Sequence, residues 1–187
     1  MLPSLMAIAR VFDDLSKAAP ARGLPPVHLW HPTHCGEIDI VIKASGEWLH
    51  EGAPIRRPAL VRLFSTVLRR DPDGIHLVTP VEKLKITVED APFVAVAVEA
   101  DGENLVFTTN VGDRVAADAD HPIRVETDPA TDEPRPYIHV RSGLDALIAR
   151  SVFYELVGQA EQCDNGTLGV RSGGIWFLLG DPDNQDP

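Results

Sequence analysis

Hydrophobic residues recur along this chain at two spacings, one typical of strands and one typical of helices. Ile38, Ile40 and Ile42 alternate and lead to Ser45-Gly46, a turn signal, so residues 38–50 are predicted to form a β-hairpin. After Pro58 the apolar residues follow the spacing i, i+1, i+4, i+7, i+8, which predicts an amphipathic helix with the proline in its first turn. The apolar positions of this helix are Leu60, Val61, Phe64, Val67 and Leu68.

The rest of the chain is predicted to be strands, with a second helix and one exposed loop. The second helix is predicted over 144–160, and the acidic, proline-rich stretch 128–136 is predicted to be the loop. Hairpins are predicted for 93–98 with 105–109 and for 167–170 with 175–179, and further strands are predicted over 75–79, 85–89, 122–127 and 137–141.

The first residues carry a helical pattern of their own. Leu5, Ile8, Val11, Phe12 and Leu15 fall on one stripe, which predicts an N-terminal helix packed on the body of the protein or used in dimerisation. Prolines then end this helix and predict an extended linker, so residues 1–27 are interpreted as a helical arm with its linker.

Two stretches of the chain match each other at an offset of 89 residues. Trp48 then corresponds to Tyr137, His50 to His139, and Phe64 to Phe153, in the order strand, turn, helix, turn, strand. Matching apolar positions with unrelated surfaces are typical of a duplicated packing unit, although two unrelated segments can also match by chance. Duplication predicts an α+β fold of two related strand–helix–strand modules with bent antiparallel sheets, over residues 28–92 and 93–187.

Charge and composition exclude several classes of protein. The 187 residues include 17 Lys and Arg against 28 Asp and Glu, a net charge of -11, which argues against a nucleic-acid polymer or an anionic membrane as the partner. Apolar runs are too short to span a bilayer, and two cysteines are too few for a disulfide scaffold. These features predict a soluble, cytoplasmic protein.

Five arginines concentrate around the first predicted helix of this acidic chain. Arg56 and Arg57 directly precede the helix, where backbone amides and guanidinium groups favour a phosphate. The alternative is a solvated helix face paired with acidic neighbours. The other three arginines of this group are Arg62, Arg69 and Arg70.

A second concentration of chemistry is the loop that holds His28, His31, His34 and Cys35. Imidazole and thiol groups suit zinc, but the spacing matches no established ligand pattern, so a polar loop is preferred and no metal is predicted. Sequence leaves open whether these groups bind metal or whether Cys35 is redox-active. The chain has no P-loop, dinucleotide fingerprint, zinc-protease motif or nucleophile elbow, so neither a cofactor nor a catalytic residue is predicted.

Several short motifs resemble a bacterial family, the "domain of unknown function 1285" proteins. They include Trp30-His-Pro-Thr-His-Cys-Gly36, Leu77-Val-Thr-Pro-Val-Glu-Lys83 and Val88-Glu-Asp-Ala-Pro-Phe93, and the similarity covers about residues 25–180. The resemblance implies a duplicated α+β core, with a C-terminal domain loosely like a pleckstrin-homology fold. It also implies a role in signal transduction and a nucleotide-based ligand at the domain interface, with no established reaction.

These observations lead to a hypothesis of a small-molecule sensor that binds a phosphorylated or nucleotide-like ligand where the two modules meet. Trp48, Phe93 or Tyr137 would stack on a base if exposed. One alternative is a scaffold that binds a protein partner, and another is a hydrolase that uses His50 or His139 with a carboxylate. The candidate ligand-binding residues are His50, Arg56, Arg57, Glu82, Lys83, Asp90, Arg114 and Arg141.

Overall fold

The structure, a computed structural model, describes residues 23–162 and 166–180. The chain divides into two compact units, Met1–Asp90 (unit 1) and Ala91–Pro187 (unit 2). The predicted N-terminal helix lies outside the described residues, and the linker that follows it contains a short 3-10 turn, Val27–Leu29. In the described part of the chain, no helix has the length and apolar character needed to cross a bilayer.

Unit 1 is built on one six-stranded sheet with the order β3-β2-β1-β6-β5-β4. Its central strands β1 and β6 run parallel, and every other neighbouring pair is antiparallel. One helix, α1 (Pro58–Ser65), lies between β3 and β4 in the chain. The strands are β1 (His34–Ile42), β2 (Trp48–His50), β3 (Ala53–Pro54), β4 (Leu68–Asp71), β5 (Gly74–Val78) and β6 (Glu82–Val88).

The first hairpin of unit 1 is confirmed. Strands β1 and β2 pair antiparallel, and the turn between them is closed by Lys43 N–H to the Glu47 carbonyl at 2.9 Å and Gly46 N–H to the Lys43 carbonyl at 2.8 Å. Gly46 has φ +83°, a left-handed conformation that glycine adopts without strain. The alternation places Ile40 and Ile42 in the core with no exposed surface.

Helix α1 begins at Pro58 as predicted, but it ends at Ser65, before the last two positions of the apolar stripe. The Thr66 hydroxyl donates to the Leu63 carbonyl at 2.7 Å and satisfies one carbonyl of the last turn. Leu68 then starts β4 and is buried there, so the apolar pattern continues although the helix has ended. Arg69 and Arg70, expected beside the helix, therefore lie on a strand.

Unit 2 contains a second six-stranded sheet with the order β10-β11-β12-β7-β8-β9 and a three-stranded sheet, β13-β14-β15. Strands β12 and β7 form the parallel pair in the middle of the larger sheet. One helix, α2 (Arg150–Gly158), follows β12. The strands are β7 (Phe93–Asp101), β8 (Asn104–Thr109), β9 (Arg114–Ala116), β10 (Ile123–Thr127), β11 (Pro134–Arg141), β12 (Leu144–Ile148), β13 (Glu161–Gln162), β14 (Leu168–Ser172) and β15 (Ile175–Gly180).

The helix predicted over 144–160 is wrong in its first part. Leu144, Ala146 and Ile148 are buried in alternation, which is the period of a strand, and they belong to β12. A tight turn at Ser142 and Gly143, with φ +47° and +74°, reverses the chain from β11 into β12. The helix itself is limited to the nine residues of α2.

The two-module organisation is present, but it does not follow the 89-residue match. Each large sheet starts at its centre, extends to one edge, and returns from the other edge to pair its sixth strand parallel with its first. This plan aligns β1–β6 with β7–β12, whereas the match aligned α1 with α2, which follow the third and the sixth strand respectively. Both helices pack an apolar stripe on a sheet, which explains their similar spacing. The modules are therefore six-stranded and mainly β rather than strand–helix–strand. Each large sheet is mixed rather than antiparallel, because its central pair is parallel.

A buried serine connects the smaller sheet of unit 2 to the larger one. Ser172 has no exposed surface; its hydroxyl donates to the Ala117 carbonyl at 2.7 Å and accepts from Leu105 N–H at 2.8 Å. Ser172→Ala is expected to lower the free energy of unfolding by about 1–3 kcal/mol, because a buried N–H loses its acceptor. Chemical denaturation measures this, with the exposed Ser151→Ala as the control; equal stability of the two variants would contradict it.

Candidate functional site

The two units carry very different charge. Residues 1–90 hold eleven Lys and Arg against eleven Asp and Glu, whereas residues 91–187 hold six against seventeen. The whole net charge of -11 therefore belongs to unit 2, and unit 1 is formally neutral. Within unit 1, the segment 52–70 contains five arginines and no acidic residue. An anionic ligand would meet the least repulsion at this segment.

Three of these arginines are exposed: Arg56 and Arg57 directly precede α1, and Arg62 lies in its last turn. Among the residues that the structure describes, their guanidinium groups have no hydrogen bond or ion pair. Arg57 is the N-cap of the helix, and no side chain caps its first amides. This site, which we call the arginine cluster, offers charge and directional donors that the protein does not itself neutralise.

Arg69 is different from the arginine cluster because its donors are already used. Its Nε and Nη2 bind the Asp71 carboxylate at 2.9 and 3.0 Å, and its Nη1 donates to the carbonyls of Val27 at 3.0 Å and Trp30 at 2.7 Å. The guanidinium group thereby fastens the 3-10 turn to β4. This arginine holds the fold together rather than binding a ligand.

Asp71 is the centre of an ion-pair network on the β4–β5 hairpin. Besides Arg69 it binds Lys83 Nζ at 3.1 Å, and its carboxylate is only 17% exposed. The hydrogen bonds from Arg69, followed by that from Lys83, outweigh burial and lower the pKa of Asp71 below its usual range. The same contact raises the pKa of Lys83.

His76, 2% exposed, lies between two carboxylates of this hairpin. Its Nδ1 is 3.8 Å from Asp71 and its Nε2 is 3.3 Å from Asp73, so ligand atoms of the three residues lie within 4.8 Å of one another. The arrangement does not suit a dication, because Arg69 and Lys83 already neutralise Asp71. The imidazole also presents a different nitrogen to each carboxylate. Within residues 23–162 and 166–180 no other group of this kind occurs, and the exposed thiol of Cys35 is not part of it.

The remaining candidate residues of unit 1 are spread along its sheet. His50 is half-buried on β2, opposite Ile40 and Ala53, and Asp90 is half-buried just after β6. Glu82 and Lys83 begin β6. Lys83 reaches across to Asp71 on the neighbouring hairpin at 3.1 Å.

Glu89 ties the end of β6 to the first hairpin. Its carboxylate binds Lys43 Nζ and accepts from the Ala44 amide at 3.0 Å, and these two contacts, the lysine first, lower the pKa of Glu89. The contact is solvent-exposed, so it contributes little to stability. Glu89 therefore organises a turn rather than a binding site.

Two candidate residues, Arg114 and Arg141, lie in unit 2 and both are paired. Arg114 binds Glu99 at the surface, and Arg141 binds Asp113 at 2.6 Å. The Arg141 guanidinium also lies 4.8 Å from the centre of the Phe93 ring. Because Asp113 and Arg114 are consecutive, one turn positions both ion pairs.

The aromatic residues expected to stack on a base are not available for it. Trp48, Phe93 and Tyr137 are 2%, 0% and 5% exposed. Trp48 packs on Phe64 in the core, and Arg124 covers the Tyr137 ring at 4.7 Å. Aromatic residues at these positions fill the cores of their units.

Unit 2 contains a histidine–carboxylate pair whose carboxylate the sequence did not identify. His139 Nδ1 lies 2.9 Å from Asp145 Oδ1, and Arg124 binds the other oxygen of this carboxylate at 3.1 Å. The His121 ring stacks beside His139 at 6.2 Å. His139 and Asp145 face each other across β11 and β12, which the sequence could not show because residues 144–148 were interpreted as helix.

Comparisons with known proteins follow the same two-unit division. The N-terminal domain of DUF1285, a domain of unknown function, matches residues 25–91, and the DUF1285 C-terminal domain matches residues 92–179. A solved DUF1285 family protein from Silicibacter pomeroyi DSS-3 is 48% identical, with a TM-score of 0.83, and the match covers 92% of this chain and 96% of that chain.

A second solved DUF1285 family protein, from Shewanella baltica OS155, is 26% identical with a TM-score of 0.52; the match covers 64% of this chain and 91% of that chain. No curated protein matches the chain. The resemblance noted from the sequence motifs is thus confirmed over both units. This chain belongs to the DUF1285 family.

Proposed function

We propose that this protein is a sensor that binds a phosphorylated or nucleotide-like small molecule through the arginine cluster of unit 1. The observation that carries the proposal is that Arg56, Arg57 and Arg62 are exposed without an ion pair among the described residues, although the chain as a whole is strongly acidic. Surface arginines in an acidic protein ordinarily find carboxylate partners, as Arg114 and Arg150 do in unit 2.

Phosphate chemistry fits this cluster better than other anions. A guanidinium group donates two parallel hydrogen bonds to phosphate oxygens, and the uncapped first turn of α1 adds a backbone donor and a favourable dipole. Pro58 supplies no N–H, and the Leu60 N–H already donates to the Arg57 carbonyl at 3.0 Å, so the Ala59 N–H is the donor concerned. The base of a nucleotide would lie outside this recognition, because the aromatic residues of the sequence hypothesis are buried.

The test measures the binding of ATP, tripolyphosphate and adenosine to the purified 187-residue chain by calorimetry and by thermal shift. ATP and tripolyphosphate are expected to bind with an affinity that falls as salt rises, and adenosine is expected not to bind. Arg56→Ala, Arg57→Ala and Arg62→Ala are each expected to weaken tripolyphosphate about tenfold, since each removes charge-assisted hydrogen bonds.

Arg114→Ala is the matched control because it removes an exposed arginine outside the cluster. The proposal fails if tripolyphosphate binds the three cluster variants as tightly as it binds the original protein. It also fails if adenosine alone accounts for the binding of ATP.

A hydrolase is a second candidate, favoured by the His139–Asp145 pair. Asp145 fixes the Nδ1 side of the imidazole, which directs Nε2 away from the carboxylate and suits a general base that activates water. Turnover of p-nitrophenyl esters or phosphoesters that is lost in His139→Gln and kept in His50→Gln would support it. Turnover that is absent, or unchanged in His139→Gln, would reject it.

Signal transduction, a pleckstrin-homology-like C-terminal domain and a protein partner remain proposals that rest on the family resemblance. The sensor hypothesis includes signal transduction, because a change that the ligand causes in unit 1 has to be passed on to another molecule. The scaffold alternative needs a contiguous apolar surface. A protein partner that is retained equally with and without tripolyphosphate would favour the scaffold.

A further inference from the structure

Unit 2 contains an open groove of about 410 Å³ beside the first turns of α2. This volume is within the range of small-molecule sites in proteins. Its walls come from the loop 128–133, the start of β11, the end of β12 and the first half of α2. The groove is separate from the arginine cluster and lies entirely within unit 2.

Part of the groove lining is apolar. Its apolar residues include Pro134, Pro136, Leu147, Phe153 and Tyr154. Tyr154 is 63% exposed, although aromatic residues are more often largely buried. A flat or branched apolar group would cover this ring and lose contact with water.

Two arginine–carboxylate pairs line the groove, and one of them is fixed. Asp128 accepts from Arg135 Nη1 at 2.9 Å and from the amides of Ala130 and Thr131 at 2.9 and 3.3 Å. These contacts, the Ala130 amide first, lower the pKa of Asp128. Arg135 also donates to the Tyr137 hydroxyl at 3.1 Å, so this pair belongs to the framework of the loop.

The second pair is open to exchange. Arg150 Nη2 binds Glu133 Oε2 at 2.8 Å, and the two side chains are 67% and 58% exposed. Exposed ion pairs of this kind contribute little to stability, so a ligand can separate them at small cost. Once separated, they present one cationic and one anionic group at the mouth of the groove.

We propose that this groove binds a free α-amino acid with a large apolar side chain, of which phenylalanine is the type. Its carboxylate would take the place of Glu133 on Arg150, its ammonium group would bind Glu133, and its side chain would pack between Tyr154 and the two prolines. A zwitterion leaves the four charges balanced, whereas a ligand with a single charge adds one unbalanced charge beside the Arg150–Glu133 pair, so charge complementarity favours a zwitterion.

The test is a titration of the full chain, labelled with ¹⁵N, with four probes: L-phenylalanine, 3-phenylpropionate, 2-phenylethylamine and glycine. L-phenylalanine is expected to shift the amide signals of residues that line the groove, with a millimolar dissociation constant typical of a small ligand in an open site. 3-Phenylpropionate lacks the ammonium and 2-phenylethylamine lacks the carboxylate, and each is expected to bind about threefold more weakly because it loses one exposed ion pair. Glycine lacks the apolar side chain and is expected to bind at least tenfold more weakly.

Glu133→Gln and Arg150→Gln are each expected to weaken L-phenylalanine about threefold, because each removes one exposed ion pair with the ligand, and Tyr154→Ala is expected to weaken it less than either. Glu99→Gln and Arg114→Gln are the matched controls, because they break a similarly exposed pair in the same unit and should leave the affinity unchanged. Absence of shifts at tens of millimolar L-phenylalanine, shifts outside the groove, or equal binding of all four probes would overturn the proposal. None of these outcomes bears on the arginine cluster, whose probe is tripolyphosphate.

Discussion

Phe64→Ala is expected to lower the free energy of unfolding of unit 1 by about 3–5 kcal/mol. Phe64 has no exposed surface and its ring packs on Trp48, with 6.4 Å between ring centres and 28° between planes. It is the buried aromatic residue of α1, and its partner Trp48 belongs to β2. Removing the ring leaves a cavity that the surrounding strands cannot fill completely.

Urea denaturation followed by tryptophan fluorescence measures this effect, since Trp48 reports on the same contact. Tyr154→Ala is the control because it deletes an aromatic side chain that is mostly exposed, and its cost should stay below about 1 kcal/mol. Phe64→Leu should fall between the two. A cost for Phe64→Ala no greater than that of Tyr154→Ala would show that α1 is held by other contacts.

Asp71→Asn is expected to lower the free energy of unfolding by about 2–3 kcal/mol at neutral pH. The carboxylate accepts two hydrogen bonds from Arg69 and one from Lys83, and bonds to charged groups contribute about 1.5–3 kcal/mol each before compensation. The neutral amide leaves Arg69 half-buried without a counter-charge, and Arg69 is what fastens the 3-10 turn to β4.

The same carboxylate gives this contribution a definite pH dependence. Because the pKa of Asp71 is lower in the folded protein than in the unfolded chain, the unfolded state takes up the proton first as the pH falls. The stabilisation is complete above the ordinary carboxyl pKa of about 4 and is lost as the pH falls from there through the lowered value. The stability difference between the original protein and Asp71→Asn should therefore shrink in acid.

Asp73→Asn is the matched control for this prediction, since Asp73 is on the same hairpin and its side chain is 59% exposed. Its effect should stay within about 0.5 kcal/mol. Denaturation curves measured at several pH values compare the two variants. A difference between the original protein and Asp71→Asn that is constant with pH would contradict the role given to the Asp71 charge.

These two residues also show how the arginines of unit 1 differ in their contacts. Phe64 is buried in the helix that follows Arg56 and Arg57, and Asp71 binds Arg69, whose other donors fasten the 3-10 turn to β4. Arg56 and Arg57 are left exposed by the same fold. The five arginines of segment 52–70 are thus close together in the sequence but have different environments in the structure.

The local sequence pattern correctly predicted elements whose contacts are made within one short segment of the chain. The hairpin at Ser45-Gly46, the start of α1 at Pro58 and the hairpin of β14 with β15 all follow from turn chemistry and apolar spacing. The specific motifs around Lys83 and Phe93 were sufficient for the family. Residues 144–148 were predicted to be helical but form a strand. The apolar spacing was misleading there, because a short buried strand and a helix both contain closely spaced apolar residues.

The candidate sites depended more heavily on tertiary contacts. The position of Arg56 and Arg57 before a helix is readable from the chain, because a helix start is a local event. Other features depend on which segments of the chain the strand order places next to one another. They are the hydrogen bonds of Arg69, the pair of His139 with Asp145, and the groove beside α2. By itself, the sequence determined the short-range elements, the acidic balance and the family. The tertiary structure alone decided which charges are neutralised, because ion pairing depends on distances across strands.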